Sequence, residues 1–340
     1  MEIKTGSRGM RFLASSTVLL ALLTGCSGDG SKTSPVGLPT PELGKIAAFD
    51  LGALSKEYDL NKTVVVTWTL VTTDQAGNVY MMDRSLQHPD VLKMTPQGVV
   101  SRYAQPVFVK TPTAMVVRSD GSMVFSDSTT SADYFRVISR DGTETELRIS
   151  PNYKDARPIG ERPDGSLIIT EGGTIWSLKD GKATDLYHQS KDIYESAVVD
   201  PSGTIYTVPE NLGDIIAIPV GKQPYHLNES GTVPNSTTPI ASLAPGEMTP
   251  ASTGGFYALA DDKAITETFV LYVQGTKTTV LAKTSLNQTC VPGKQYPALT
   301  NTCEAQAYLV QSGDLLLFLG NLTTHNDSPA EPALALKAVS

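Results

Sequence analysis

The chain has 340 residues, with 27 Lys and Arg against 35 Asp and Glu, for a net charge of −8. Beyond its first eleven residues it has no basic run, so it lacks the cationic footprint of a nucleic-acid binder. The length left after the N-terminal 43 residues suits one core and leaves no room for a second domain.

Lys4, Arg8 and Arg11 precede an apolar run over 12–23, which ends in Leu23-Thr24-Gly25-Cys26. A basic start, a short apolar stretch and small residues at its end predict a secretory signal peptide over 1–25. The run is shorter than the roughly 20 residues that a permanent membrane helix needs. Its last four residues resemble the lipobox of bacterial lipoproteins. The resemblance implies that Cys26 becomes the mature N-terminus, acylated on its sulfur and amine. The other reading is an ordinary secreted protein with a cysteine beside its cleavage site. Two or more acyl chains anchor durably, since each buried methylene contributes about 0.8 kcal/mol. Lipoproteins held at the inner membrane usually carry Asp after the cysteine. Here Ser27 follows it, which leans toward the outer membrane of a Gram-negative cell. The expected location is the cell envelope, facing away from the cytoplasm.

Residues 27–42 (SGDGSKTSPVGLPTPE) hold too few apolar side chains to offset their ordering entropy. Residues 26–43 therefore read as a flexible tether, and 44–340 as the folded part.

From there one element recurs: a polar turn ending in Gly, then a short apolar strand. The instances are QAGNVY, SDGSMVF, PDGSLII, PSGTIY, STGGFY and QSGDLL, with Gly77, Gly121, Gly165, Gly203, Gly255 and Gly313. The glycine spacings are 44, 44, 38, 52 and 58. A second turn follows in step at Gly98, Gly142, Gly181, Gly221 and Gly275, after 21, 21, 16, 18 and 20 residues. Gly at such turns supplies the positive φ that a tight hairpin requires. Each unit thus reads strand, turn, strand, loop, strand, turn, strand. Four short antiparallel strands every 40–50 residues or so predict an all-β chain, a six-bladed β-propeller.

The sixth unit has three strands, over 305–310, 314–319 and 333–339, and lacks an outer one. The run KIAAFDL over 45–51 is an unclaimed strand upstream of the first unit. It is expected to complete the last blade and close the ring, removing an exposed edge. The longest interval holds Cys290 and Cys303 around VPGKQYPALTNT. In an exported protein they are expected to form one disulfide closing a loop, worth about 3 kcal/mol. A metal pair is the alternative, unsupported by any adjacent His or acidic cluster.

These repeats resemble the six-bladed propellers that include NHL-repeat, SMP-30/gluconolactonase-like and TolB-like proteins. The resemblance covers nearly all of 44–340 and rests on turns and strands.

In such a ring the inner strand of each blade lines a central channel. Counting eight residues back from the turn glycines gives Thr69, Thr113, Arg157, Glu195, Glu247 and Ala305, with Glu304 one earlier. Three acids and one Arg at one channel mouth form the candidate site. Glu195, Glu247 and Glu304 would supply hard oxygen ligands to a divalent cation such as calcium. The other reading is a polar, wet channel in which Arg157 pairs with a Glu. SMP-30-like enzymes bind a divalent ion here with a Glu and Asn/Asp ligands, and those Asn and Asp members have no counterpart in this chain. A second set, Asp83, Asp127, Glu171 and Asp261, falls six residues after a turn glycine and reads as framework.

His88, His188, His226 and His325 fall in predicted loops, and 225–250 reads as a long polar insertion. Tyr80, Phe125, Trp176, Tyr206, Phe256 and Phe318 are expected between blades. No G-x-S-x-G, H-E-x-x-H, C-x-x-C, Walker A or strand-linked G-x-G-x-x-G occurs. Two functions follow. One is a non-catalytic binding or assembly propeller for a protein, peptide or glycan. The other is a metal-dependent hydrolase or lactonase of the SMP-30-like kind.

Overall fold

A computed structural model describes residues 37–58, 60, 69–83, 90–107, 112–127, 134–149, 156–188, 194–209, 215–227, 244–261, 268–284, 306–321 and 333–339. The signal peptide, Cys26, Cys290, Cys303, Glu304, His88 and His325 lie outside the described residues.

The folded part is a six-bladed β-propeller of four-stranded antiparallel sheets. Strand β1 (Ile46–Phe49) comes first. Blade one holds β2 (Thr69–Thr73), β3 (Val79–Asp83), β4 (Val91–Met94) and β5 (Val100–Ala104). Blade two holds β6 (Pro112–Val117), β7 (Met123–Asp127), β8 (Tyr134–Ile138) and β9 (Glu144–Arg148). Blade three is β10 (Arg157–Glu161), β11 (Leu167–Glu171), β12 (Thr174–Lys179) and β13 (Lys182–His188). Blade four is β14 (Tyr194–Val199), β15 (Ile205–Pro209), β16 (Ile216–Ile218) and β17 (Tyr225–His226). Blade five follows with β18 (Ala244–Pro250), β19 (Phe256–Asp261), β20 (Thr268–Gln274) and β21 (Lys277–Thr284). Blade six has β22 (Gln306–Ser312), β23 (Leu315–Asn321) and β24 (Ala333–Lys337), and β1 is its fourth strand.

The turns give each blade its shape. In the first turn of blades one to four, the residue ending the inner strand donates its N–H four residues on. Its carbonyl accepts from the turn glycine, as in Asp74 N to Asn78 O and Gly77 N to Asp74 O. All eleven glycines of the two turn series have φ between 57° and 85°, a region that side chains disfavour. Aspartates rigidify several of these turns: Asp164 Oδ1 accepts from Ser166 N at 3.0 Å and Ser166 Oγ at 2.6 Å. Those bonds, with Lys179, hold its carboxyl down to about 2.

Six apolar clusters hold the ring, one at each seam between neighbouring blades. Ile168 and Ile175 of blade three pack on Ile205, Ile216 and Ile218 of blade four. Leu167, Ile169 and Leu178 of the same blade pack on Val116, Val124 and Phe135 of blade two. Period-2 alternation thus sends successive side chains to opposite neighbours, which is why the second strands read as unbroken apolar runs. All six aromatics expected between blades lie in these clusters.

The sixth seam is sealed from the N-terminus. Strand β1 pairs with β24 in the register Ile46↔Leu336 to Phe49↔Ala333. Leu51 and Leu60 then bury themselves between blade six and blade one, with Leu38, Leu54 and Tyr58 partly buried beside them. Leu38, within the stretch read as tether, already rests on Gly98.

Two expectations are corrected. The stretch 225–250 is not one insertion: it begins with β17 and ends with β18, while 228–243 lie outside the described residues. The polar composition of APGEMTP hid an inner strand, whose edge faces the channel. His188 and His226 close the outer strands β13 and β17 rather than sitting in loops.

Two outcomes test this architecture. Deleting residues 44–52 removes the closing strand and should abolish the cooperative unfolding transition; unchanged melting would refute the closure. A Cβ on Gly160 would fall 2.7 Å from Val199 Cγ2 across the seam between blades three and four. Gly160→Ala should therefore cost about 1–3 kcal/mol in urea unfolding, with much of the loss recovered when Val199→Ala accompanies it.

Candidate functional site

The inner strands β2, β6, β10, β14, β18 and β22 contact one another in ring order, and β22 returns to β2. Each ends its sheet, so its inward edge carries backbone N–H and C=O groups with no strand partner. The channel they enclose opens into a cavity of about 950 Å³. It extends from the first turns of the blades down to Leu70, Ala114, Pro158, Ala197 and Glu247. Four rungs of strand at 3.3 Å make that depth about 13 Å.

The turn mouth of this channel is tied at every seam by polar contacts or close packing. Arg118 at the end of β6 reaches into blade three, with Nε on Glu161 Oε1 at 2.8 Å and Nη2 on Gly165 O at 3.2 Å. Ser119 N donates to the other Glu161 oxygen at 2.6 Å. Arg162 at the end of β10 repeats the move, its Nε donating to Gly203 O of blade four at 3.0 Å. Asp200 at the end of β14 accepts from Gly255 N of blade five at 2.9 Å. Gln311 of blade six accepts from Ser252 N at 2.8 Å and donates to Ser252 Oγ at 2.9 Å. Blade one meets blade six at Gly77, where a Cβ would lie 2.5 Å from Gly313 N. Tyr103 hydroxyl donates to Gly121 O between blades one and two. Sequence reasoning missed this ring. Its signal was the polar residue three before the turn glycine, Arg118, Arg162 and Asp200 in successive units.

Four inner strands carry a β-bulge, and bulges re-aim side chains. Glu195 is the extra residue of β14, between Tyr194↔Pro209 and Ser196↔Val208. Thr113 holds the matching place in β6, and its hydroxyl lies 2.8 Å from Ser126 Oγ. In β18 the pairs Pro245↔Ala260 and Met248↔Ala258 leave Gly246 and Glu247 facing Leu259 alone. The turn of blade five is closed by Gly254 rather than Gly255, with Gly254 N donating to Ala251 O. The equivalent residue of that unit is thus Gly246, and Glu247 comes to the channel through the bulge.

Arg157 opens β10 opposite Thr170 and is exposed, outside the cavity lining. The side chain of Glu195 lies outside the described residues, as does Glu304. Glu247 lines the cavity. Glu247 is exposed to the channel, and the protein atoms around its carboxyl reduce that group's hydration. Burial pushes its carboxyl from 4.5 up to about 7, and no neighbouring charge offsets this. Among the described residues nothing hydrogen-bonds or pairs with it. Among those same residues no three His, Cys, Asp or Glu side chains gather as a metal site. The framework acids end their strands as expected: Asp83, Asp127, Glu171 and Asp261 are the last residues of β3, β7, β11 and β19.

No protein-family model matches the chain, and no curated protein sequence does. Among solved structures it is similar to virginiamycin B lyase from Staphylococcus aureus, at 14% identity and TM-score 0.51 over 87% of this chain and 99% of that one. It is likewise similar to streptogramin B lyase, at 13% identity and TM-score 0.52 over 86% and 97%. A third similar structure is regucalcin, a calcium-binding protein from Agrobacterium tumefaciens, at 16% identity and TM-score 0.47 over 79% and 90%. At this identity the first two likenesses show the fold.

Two outcomes test the site. Arg118→Ala should destabilise by about 2–3 kcal/mol in denaturant unfolding, because Glu161, whose side chain is 6% exposed, loses its cation. The raised Glu247 carboxyl favours the folded state fully below pH 4.5, and that contribution is lost as pH rises through about 7. Glu247→Gln should therefore melt above the parent at pH 8, with the gap closing by pH 5; an equal gap at both pH values would contradict the burial.

Proposed function

We propose that this chain is a cell-envelope lipoprotein, anchored through Cys26, whose propeller is a non-catalytic binding module that holds its ligand in the central channel. One observation carries the binding reading: a channel of about 950 Å³ presents the unpartnered carboxyl of Glu247 to its interior. At the turn mouth, by contrast, Arg118, Arg162, Asp200 and Gln311 bond from blade to blade. An unpaired carboxyl lining a cavity is the kind of group that a ligand completes.

The anchor follows from the sequence Leu23-Thr24-Gly25-Cys26 and the polar stretch after it. It leaves the propeller outside the cytoplasm, with a protein, peptide or glycan as its partner. A metal-dependent lactonase would instead need Glu195 and Glu304 to converge with Glu247 on a divalent ion such as calcium.

Elemental analysis and a thermal-shift titration with calcium and zinc separate the two. The binding module predicts no stoichiometric metal and no shift. A bound metal that disappears in both Glu195→Gln and Glu247→Gln would overturn it in favour of the hydrolase. For the anchor, Cys26→Ser should lose palmitate labelling and leave the membrane fraction; retention there would refute lipidation.

A further inference from the structure

We propose that the end of the ring carrying the turns faces the lipid surface, so that a partner from outside meets the propeller at its opposite end. This rests on the anchor proposed at Cys26 and adds the direction in which that anchor holds the ring.

The place where the tether joins the ring decides the direction. First and second turns crowd together at one end of the blades. Pro96 Cγ lies 3.6 Å from the point that a Cβ on Gly77 would occupy, and Val220 Cγ2 lies 3.0 Å from the corresponding point on Gly203. Leu38 N stands 3.4 Å from that point on Gly98, in the second turn of blade one. The chain from the anchor therefore meets the ring at its turn end. Twelve residues, 26–37, separate that contact from the lipid. A flexible chain of this length spans about 20 Å on average and about 40 Å at full stretch. Turning the other end to the lipid would oblige the same tether to run past a blade, where five residues of strand cover about 17 Å, and past the connections beyond it. A folded partner of about 100 residues, with a radius of gyration near 13 Å, is wider than the average gap beneath the turns.

The surface fits this direction. Five large apolar side chains are exposed among the described residues: Leu43, Val99, Val107, Val220 and Tyr225. Val99, 62% exposed, and Val220, 53% exposed, lie in second turns, and Tyr225 opens β17 just after the latter turn. Blades one and four stand opposite each other in the ring, so a plane that touches Val99 and Val220 lies across the turn face. Apolar side chains gathered at one end suit contact with an interface. Charge on this face alternates in sign, as in Arg140-Asp141 and Lys179-Asp180, so no single-sign field drives it from a charged surface.

The test is energy transfer from the lipidated protein, bound to vesicles of phosphatidylethanolamine and phosphatidylglycerol, to an acceptor on the lipid head groups. The donor is an unnatural fluorescent amino acid placed singly at Gln97 or Lys222 in second turns, or at Arg148 or His188, the last residues of β9 and β13. All four positions are exposed, and each variant should melt as the parent does. Transfer is expected to be about twofold or more higher at Gln97 and Lys222, since the two ends differ in height by about 17 Å. Equal transfer from both ends, or higher transfer at Arg148 and His188, would overturn the direction and leave the anchor standing. No transfer from any position, as expected of Cys26→Ser, would overturn the anchor and the direction together.

Discussion

Every blade of this molecule is apolar on both faces, and that single fact governs the rest. A four-stranded sheet with Leu167 and Ile169 on one side and Ile168 on the other cannot stand free in water. It must be flanked on both sides, so each blade requires a neighbour and the row of blades has no stable end. The ring is the arrangement in which none of the two-faced sheets is left exposed. Closure through β1 is the point at which that condition is met, and the N-terminal apolar residues Leu51 and Leu60 complete the last seam.

Closing a ring of sheets creates a second problem at its centre. Six inward strand edges bring unpaired backbone groups together, and the turns crowd at one mouth. The chain answers with residues placed at the ends of the inner strands. Arg118, Arg162, Asp200 and Gln311 each bond across a seam to the neighbouring blade, and Gly77 lets blade one lie against Gly313. These contacts fix the blades relative to one another, so the channel they surround has a defined shape. Those four residues are engaged across seams, whereas the carboxyl of Glu247 lines the channel with no partner among the described residues.

Much of the fold was legible because turns and alternation are local. The glycines at 77, 121, 165 and 203 mark turns of one construction, since a positive φ must be met by the residue that occupies it. Blade five misled in two places for one reason. Its adjacent glycines, Gly254 and Gly255, offer two equivalent readings of the repeat, and only the hydrogen bond from Gly254 to Ala251 chooses between them. Its inner strand, Ala244–Pro250, contains two prolines and a glycine, a composition that reads as loop. An inner strand tolerates this because its channel edge has no ladder bonds to lose.

The sequence by itself determined the repeat, the six blades and the spare strand that closes them, because each follows from short-range turn chemistry and period-2 burial. It also brought Glu247 forward as a channel residue by counting along the chain. The tertiary structure decided which polar groups are already engaged. Arg118 meets Glu161 forty-three residues away, and Asp200 meets Gly255 fifty-five residues away. Pairings at such separation depend on how blades pack, which no local pattern encodes. The bulge decided the rest: one extra residue in β18 breaks the strand's alternation and turns Glu247 toward the axis.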